Sequence, residues 1–479
     1  MAFTSATFFF FHLAVVLLRW VVPRRLVGGL LLLASYAFYL TWGPRYGLLI
    51  GGLTVLGWGT GLALERVRSD RARKAVLTAS IVTLLGTLSY FKYADFLLEQ
   101  ATSLAASVAH AHLSFPRLDV VLPLGISFYT FEVLSYVVDV YRGEAAERSL
   151  ARFALYVGYY PHLVAGPIVR AHELLPSLRH DIDFDGELFS EGIFLVLVGL
   201  LKKMVIADRL AAAADAVFAA PGAHATTSAW IGVLAYAGQI FCDFSGYTDI
   251  ARGSSQMLGY RLPDNFDYPY LSSSITDFWR RWHMTLSRWL RDYLYIPLGG
   301  SRDGRLRRYR NLFLTMLLGG LWHGANWTFV LWGASHGALL ALHKGWDELL
   351  APRLPFAATI RRSWPWRVLG WIATQVAVVL LWVFFRAPDT RTAGQVFARL
   401  FDALPSARPE ALATLAPPMR AAGLLLALLV VVHALGSRRV GLRSHAGLPA
   451  SARGLLFGAM LAVTYLFAQT RATFIYFQF

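Results

Sequence analysis

Residues 311–344 read NLFLTMLLGGLWHGANWTFVLWGASHGALLALHK, and this stretch decides what kind of protein the chain is. No Asp, Glu or Arg interrupts it, and it exceeds the ~20 residues that a helix needs to cross a bilayer. It nevertheless carries His323, His336 and His343. Ionisable groups at membrane depth are costly and face a bundle interior or a cavity. Gly319, Gly320 and Gly324 surround His323 and let another helix or a ligand approach the backbone closely. Asn326 lies one turn on and could orient the ring. For His343, beside Lys344 at a helix end, an inter-helix hydrogen bond is the simpler reading. For His336 that reading and a functional one stay open. His323, set among glycines, points to function.

The rest of the chain agrees with a membrane setting. Of 479 residues, 56% are hydrophobic and 15% charged, against about 25% charged in a soluble domain. Apolar stretches near 5–22, 26–42, 45–64, 75–98, 119–140, 151–169, 187–208, 227–250, 311–345, 368–386, 418–436 and 453–476 predict an all-α polytopic membrane protein. About 10–12 transmembrane helices are expected, with re-entrant or interfacial pieces. Residues 5–22 read as a first spanning helix rather than a signal peptide. No basic residue precedes them, no small-residue cleavage pattern follows, and Arg24-Arg25 lie on the C-terminal side. The basic loops around Arg24 and at 66–74 are expected inside and the N-terminus outside. The net charge of +16 follows from such loops and does not call for nucleic acid. Cys242 is the single cysteine, so no disulfide framework exists. The loops at 99–118, 209–226, 346–367 and 400–418 are too short to fold alone. A single membrane domain over 1–479 is expected, with N-terminal helices 1–118, a core at 119–345 and C-terminal helices 346–479.

One region breaks the hydropathy pattern. From Tyr260 to Arg310 the chain carries Pro263, Asp264, Asn265, Asp267, Pro269 and Ser272 to Ser274, followed by TDFWRRWHMTLSRWLRDYLYIPLGG from Thr276. Such backbone is tolerated at membrane depth when it is buried in protein or lines a wet cavity. The pattern from Thr276 predicts one helix, with Trp279, Trp282, Leu286, Trp289 and Tyr293 on one face and Arg280, His283, Ser287 and Arg291 on another. Asp277 with Arg281, and Arg288 with Asp292, stand at i,i+4. Arginines on an amphipathic helix can simply meet lipid phosphates, but anchoring does not require His283. A zinc site at His283, His323 and His336 is disfavoured, since no HExxH pattern occurs and no carboxylate lies near His323 or His336 in sequence; no metal is expected. No G-x-S-x-G elbow supports a serine triad.

These residues carry a resemblance. LLLASYAFYLTW at 31–42, PLGISFYTFEVLSYVVDVYRG at 123–143, HLVAGPIVRAHELLPSL at 162–178, FCDFSGYTDIARGSSQMLGY at 241–260, the two histidine-bearing stretches at 265–302 and 319–337, and the terminal FIYFQF resemble the membrane-bound O-acyltransferase family. The resemblance is to its bacterial branch typified by the alginate O-acetyltransferase membrane subunit. It implies acyl transfer from a thioester donor to a hydroxyl, with His323 in LWHGANW as the essential histidine and His283 in RRWHMTLS as the second polar position. It also implies acetyl-CoA, or a carrier derived from it, as the cytoplasmic donor, with no cofactor held. Periplasmic acetyltransferase partners and a polysaccharide acceptor are implied too, at the bacterial inner membrane. Arg280, Arg281, Trp282, Ser287, Arg291, Asn326 and His336 are candidates for substrate binding. Arg305, Arg307 and Arg308 could grip donor phosphates. Within the same family, acetylation of peptidoglycan and D-alanylation of teichoic acid are alternatives. A glycan transporter is the alternative from another class, although no inverted repeat is visible.

Overall fold

The computed structural model describes residues 1–108, 116–164, 166–302, 304–353, 363–402, 416–436 and 447–468. The terminal FIYFQF motif lies outside the described residues, as does Ala165. Among the described residues the chain is helical and contains no strand, as apolar stretches demand where only intrachain partners can satisfy the backbone.

By its internal contacts the chain forms two compact units, one of residues 1–193 with 251–263 and one of 194–250 with 264–479. The first contains α1 (Ala6–Val21), α2 (Arg24–Leu40), α3 (Pro44–Arg66), α4 (Asp70–Val108), α5 (Ile126–Arg142) and α6 (Leu150–Gly158). α7 (Gly186–Leu200) begins in it. Helix starts follow the sequence: Ser5 accepts the Phe8 N–H at 3.2 Å to cap α1, and Pro44 opens α3. Gly57 and Gly61, one turn apart on α3, admit Val133 and the Tyr136 ring of α5 against the backbone. The stretch expected as one span at 151–169 is shorter, with α6 followed by a single turn at Tyr160–Leu163. There Tyr160 Oη meets His12 Nδ1 at 2.7 Å.

The second unit contains α8 (Asp208–Ala219), most of α9 (Thr226–Met257), α10 (Ile275–Arg281), α11 (Met284–Leu290), α12 (Arg305–His323) and α13 (Trp327–Gly345). α14 (Trp364–Arg386), α15 (Thr390–Leu400), α16 (Pro417–Gly436) and α17 (Ala450–Phe467) complete it. The run at 311–345, expected as one span, folds as two antiparallel helices, because Gly324 leaves the helical region and Asn326 caps the next helix. Among the described residues, α3, α4, α14, α16 and α17 are long and apolar enough to cross a membrane. α1 is apolar but spans 16 residues.

α12 and α13 pack backbone to backbone. A Cβ on Gly333 would lie 2.5 Å from the Met316 carbonyl and 3.0 Å from Gly320 Cα, and one on Gly337 would lie 2.9 Å from Phe313 Cα. Gly333 and Gly337 are one turn apart, so this is a small-xxx-small seam. Of the glycines expected to allow close approach, Gly320 serves the seam, while Gly324 makes room for the Phe329 ring and Gly319 faces Leu290.

Candidate active site

The single helix predicted from Thr276 is in fact broken. Ser274 caps α10 by accepting the Asp277 N–H at 3.2 Å. Trp282 then turns extended, and His283 adopts φ 43°, ψ 55°. A left-handed non-glycine residue stores on the order of 1 kcal/mol or more and persists only where its surroundings over-determine it. Asn265 does so. Its backbone carbonyl accepts Met284 N–H at 2.9 Å, and its Oδ1 accepts Thr285 N–H at 3.2 Å and Thr285 Oγ1–H at 2.9 Å. The two N–H groups are first-turn donors of α11, which no helical carbonyl can satisfy.

The same Oδ1 lies 3.1 Å from His283 Nδ1. An oxygen that already receives a backbone N–H is an acceptor, so in the neutral ring Nδ1 carries the proton. His283 Nε2 then holds a lone pair, and it is buried without a hydrogen-bond partner among the described residues. The Phe244 ring stands edge-on to the imidazole, centroids 4.7 Å apart at 82°.

His323 is the last residue of α12 and is 6% exposed. Trp322, Trp332 and Phe385 surround its ring, with centroids 5.0, 5.1 and 5.0 Å away. These rings leave the imidazole little contact with solvent, and the C-terminal end of a helix stabilises positive charge that an imidazole gains on taking a proton. Trp322 is a shared neighbour of the two histidines, its ring 6.4 Å from that of His283.

His336 lies on the far side of Trp332, rings 4.7 Å apart. Its Nδ1 accepts the Trp279 indole N–H at 3.3 Å, which places the proton of the neutral ring on Nε2. Trp279 in turn lines a cavity of about 290 Å³ with Thr276, Ser287, Arg291, Thr315, Arg308 and Lys344. Arg291 pairs with Asp292 at 2.6 Å, and Lys344 reaches Glu348 at 3.4 Å, a carboxylate that also pairs with Arg308. Three cations against two carboxylates leave the cavity cationic. His336 therefore orients a wall of this cavity.

The other candidates sort by contact. Ser287 and Arg291 line the cavity. Arg281 binds Asp277 at 3.0 Å and the Asp267 carbonyl at 3.4 Å, tying the irregular segment to α10. Arg280 is exposed. Trp282 is 2% exposed and packs on Trp382, centroids 4.9 Å apart. Asn326, expected to orient His323, instead caps α13 through Thr328 N–H at 3.0 Å and donates to the Pro388 carbonyl at 2.7 Å. A residue just past a helix C-terminus and just before the next helix is better placed to cap than to reach back. His343 meets Thr276 Oγ1 at 3.1 Å, an inter-helix contact as expected. Asn265, Phe244 and Lys344 were not singled out as site residues by sequence; the run of polar residues after Pro263 was the available signal for Asn265.

The chain is 43% identical over 406 residues to the probable alginate O-acetylase AlgI of Pseudomonas aeruginosa, covering 84% of this chain and 75% of that protein. It is 36% identical over 393 residues to the peptidoglycan O-acetyltransferase of Helicobacter pylori, covering 76% and 72%. To the teichoic acid D-alanyltransferase of Bacillus subtilis it is 27% identical over 255 residues, covering 50% and 64%. A family model for the membrane-bound O-acyltransferases matches residues 10–384, which include both His283 and His323. With its apolar helices the chain is a multi-pass membrane enzyme that transfers acyl groups, and it belongs to the membrane-bound O-acyltransferase family.

Proposed function

We propose that this enzyme moves a small acyl group, acetyl from acetyl-coenzyme A or from a carrier charged by it, to hydroxyls of an exported polysaccharide such as alginate. It would act in the bacterial inner membrane, with periplasmic acetyltransferase partners completing delivery. The observation that carries this reading is the 43% identity to an alginate O-acetylase over 84% of the chain. The site geometry agrees with it. An alcohol is a poor nucleophile at neutral pH and needs a base. His323 takes the hydroxyl proton as the oxygen attacks the thioester carbonyl, the C–S bond breaks, and the proton passes to the departing thiolate. Neutral His283, with its proton held by Asn265, accepts through Nε2, so we assign it to hold a substrate hydroxyl rather than to donate to the oxyanion. Asn tolerates a left-handed backbone and can accept through its amide oxygen. His283→Asn should therefore retain kcat within about tenfold of wild type, whereas His283→Phe should lose about 100-fold. Equal losses in the two variants would refute the hydrogen-bonding role.

The cationic cavity suits the phosphates of coenzyme A. Charge-assisted hydrogen bonds contribute about 1.5–3 kcal/mol each, so the double variant Arg291→Ala/Lys344→Ala should raise the donor KM by about 10–100-fold and leave kcat within about threefold. An unchanged donor KM would place the donor elsewhere. The whole reading is tested by reconstituting the purified protein with labelled acetyl-CoA and candidate acceptors, with and without periplasmic partners. Label on a polysaccharide hydroxyl is the expected result. Label on peptidoglycan fragments alone would replace the acceptor, and polymer uptake into vesicles without covalent transfer would make the protein a transporter.

A further inference from the structure

A buried charged cluster in the second unit has no part in the chemistry above. Lys203 is 2% exposed and sits in a π-helical turn, Leu201–Ala207, between α7 and α8. Its Nζ lies 2.7 Å from Asp208 Oδ1 and 2.7 Å from Asp243 Oδ1. The adjacent Lys202 reaches Asp249 on the same helix as Asp243, at 2.6 Å. Replacing a buried ion group by apolar residues is often neutral or stabilising, so stability is a weak reason to keep one; fixing register is the better attested use. π-helical turns, too, are concentrated at functional sites.

α9 presents two working faces. On one, its backbone touches that of α7: a Cβ on Gly199 would lie 2.5 Å from the Gly246 carbonyl, and one on Gly246 would lie 2.8 Å from the Gly199 carbonyl. Glycine against glycine gives this seam little side-chain interlock of its own beyond Ile250 against Gly199, and on this side Asp243 meets Lys203. The other face carries Phe241 and Phe244, three residues apart and so aligned. Phe244 packs on His283 at 4.7 Å and on Phe266 at 5.1 Å, and Phe241 packs on Phe266 at 5.8 Å. Phe266 follows Asn265, the residue that holds the His283 ring. A one-residue slip would rotate α9 by about 100° and carry Phe244 off the imidazole.

We propose that Lys203, with Asp208 and Asp243, is a positioning cluster that locks the register of α9, so that Phe244 holds His283 in its working orientation. The proposal rests on His283 belonging to the acyl-transfer site. If it is right, Lys203 acts on turnover through Phe244 and not on donor binding.

The test is a double-mutant cycle on the full-length protein in vesicles, reading kcat, donor KM and thermal midpoint for Lys203→Met, Phe244→Leu and the pair. Lys203→Met should lower kcat by about 10–30-fold with donor KM within about twofold. Lys203→Arg should recover to within about threefold of wild type, and the double variant should be no worse than the poorer single variant by more than about twofold. Multiplicative losses, a rise in KM instead of a fall in kcat, or more than half the wild-type kcat in Lys203→Met would overturn the proposal. Should Lys203→Met not accumulate as folded protein, Asp243→Asn enters the same cycle with the same expected and refuting outcomes. A wild-type protein that transfers no acyl group would sink the functional reading itself, a signature distinct from additivity in an active enzyme.

Discussion

His323→Ala lowers kcat for acyl transfer by about 10²–10⁴-fold, the contribution typical of a general base, while the protein still inserts and folds. The expectation comes from three features that converge on one ring. His323 ends α12, where helix-end carbonyls favour the imidazolium formed during proton transfer. Trp322, Trp332 and Phe385 enclose it on several sides, so charge developing there is not screened by bulk water. And the α12–α13 seam that supports it is built by Gly320, Gly333 and Gly337, so truncating the ring leaves the seam intact. The measurement is single-turnover transfer from labelled acetyl-CoA, alongside size-exclusion profile and melting midpoint. His323→Gln, which fills the space and keeps hydrogen bonding without imidazole chemistry, should be as inactive as His323→Ala. Activity within threefold of wild type in either folded variant would remove His323 from the base role.

The second large effect is on the fold. Gly333→Leu should prevent accumulation of folded protein, because no rotamer can relieve a clash that begins at Cβ. That atom would lie 2.5 Å from the Met316 carbonyl and 3.0 Å from Gly320 Cα, both backbone groups of a helix that cannot move without displacing His323. Overpacking of side chains costs about 1–3 kcal/mol; a backbone clash on this seam should exceed that and consume much of a typical 5–15 kcal/mol stability. Gly333→Ala carries the same Cβ against the same backbone atoms, so it should already lower the yield and the melting midpoint sharply, with Leu adding the bulk beyond Cβ. Gly423→Leu on α16, where a Cβ would meet nothing within 4 Å, is the control and should fold like wild type. Comparable yields for Gly333→Leu and the control would show that the seam is not the close contact described.

The membrane class was legible because it depends on composition and run length, which a bilayer reads residue by residue. His323 was legible as a candidate because an ionisable group among glycines in an apolar run is conspicuous in one dimension. The break at Trp282–His283 was not: the 3.6-residue spacing of Trp279, Trp282, Leu286 and Trp289 is that of an unbroken helix, and all four are buried in the broken one. The competing partner, Asn265, lies 18 residues away. Spacing also could not show that Asn326 would spend its amide on a cap, nor that Trp279 and His336 would meet across 57 residues.

For this protein the sequence by itself determined that the chain is helical, that it lives in a membrane, and that it places histidines at 283 and 323 where an apolar or amphipathic pattern does not call for them. Each of these follows from local quantities: hydropathy, spacing and the cost of burying an imidazole. Only the tertiary structure decided which nitrogen of His283 holds the proton, what surrounds His323, and that Lys203 meets Asp243 on the helix whose Phe244 packs on His283. Those depend on hydrogen bonds and ring contacts between residues far apart in the chain, whose geometry exists only once the helices have packed.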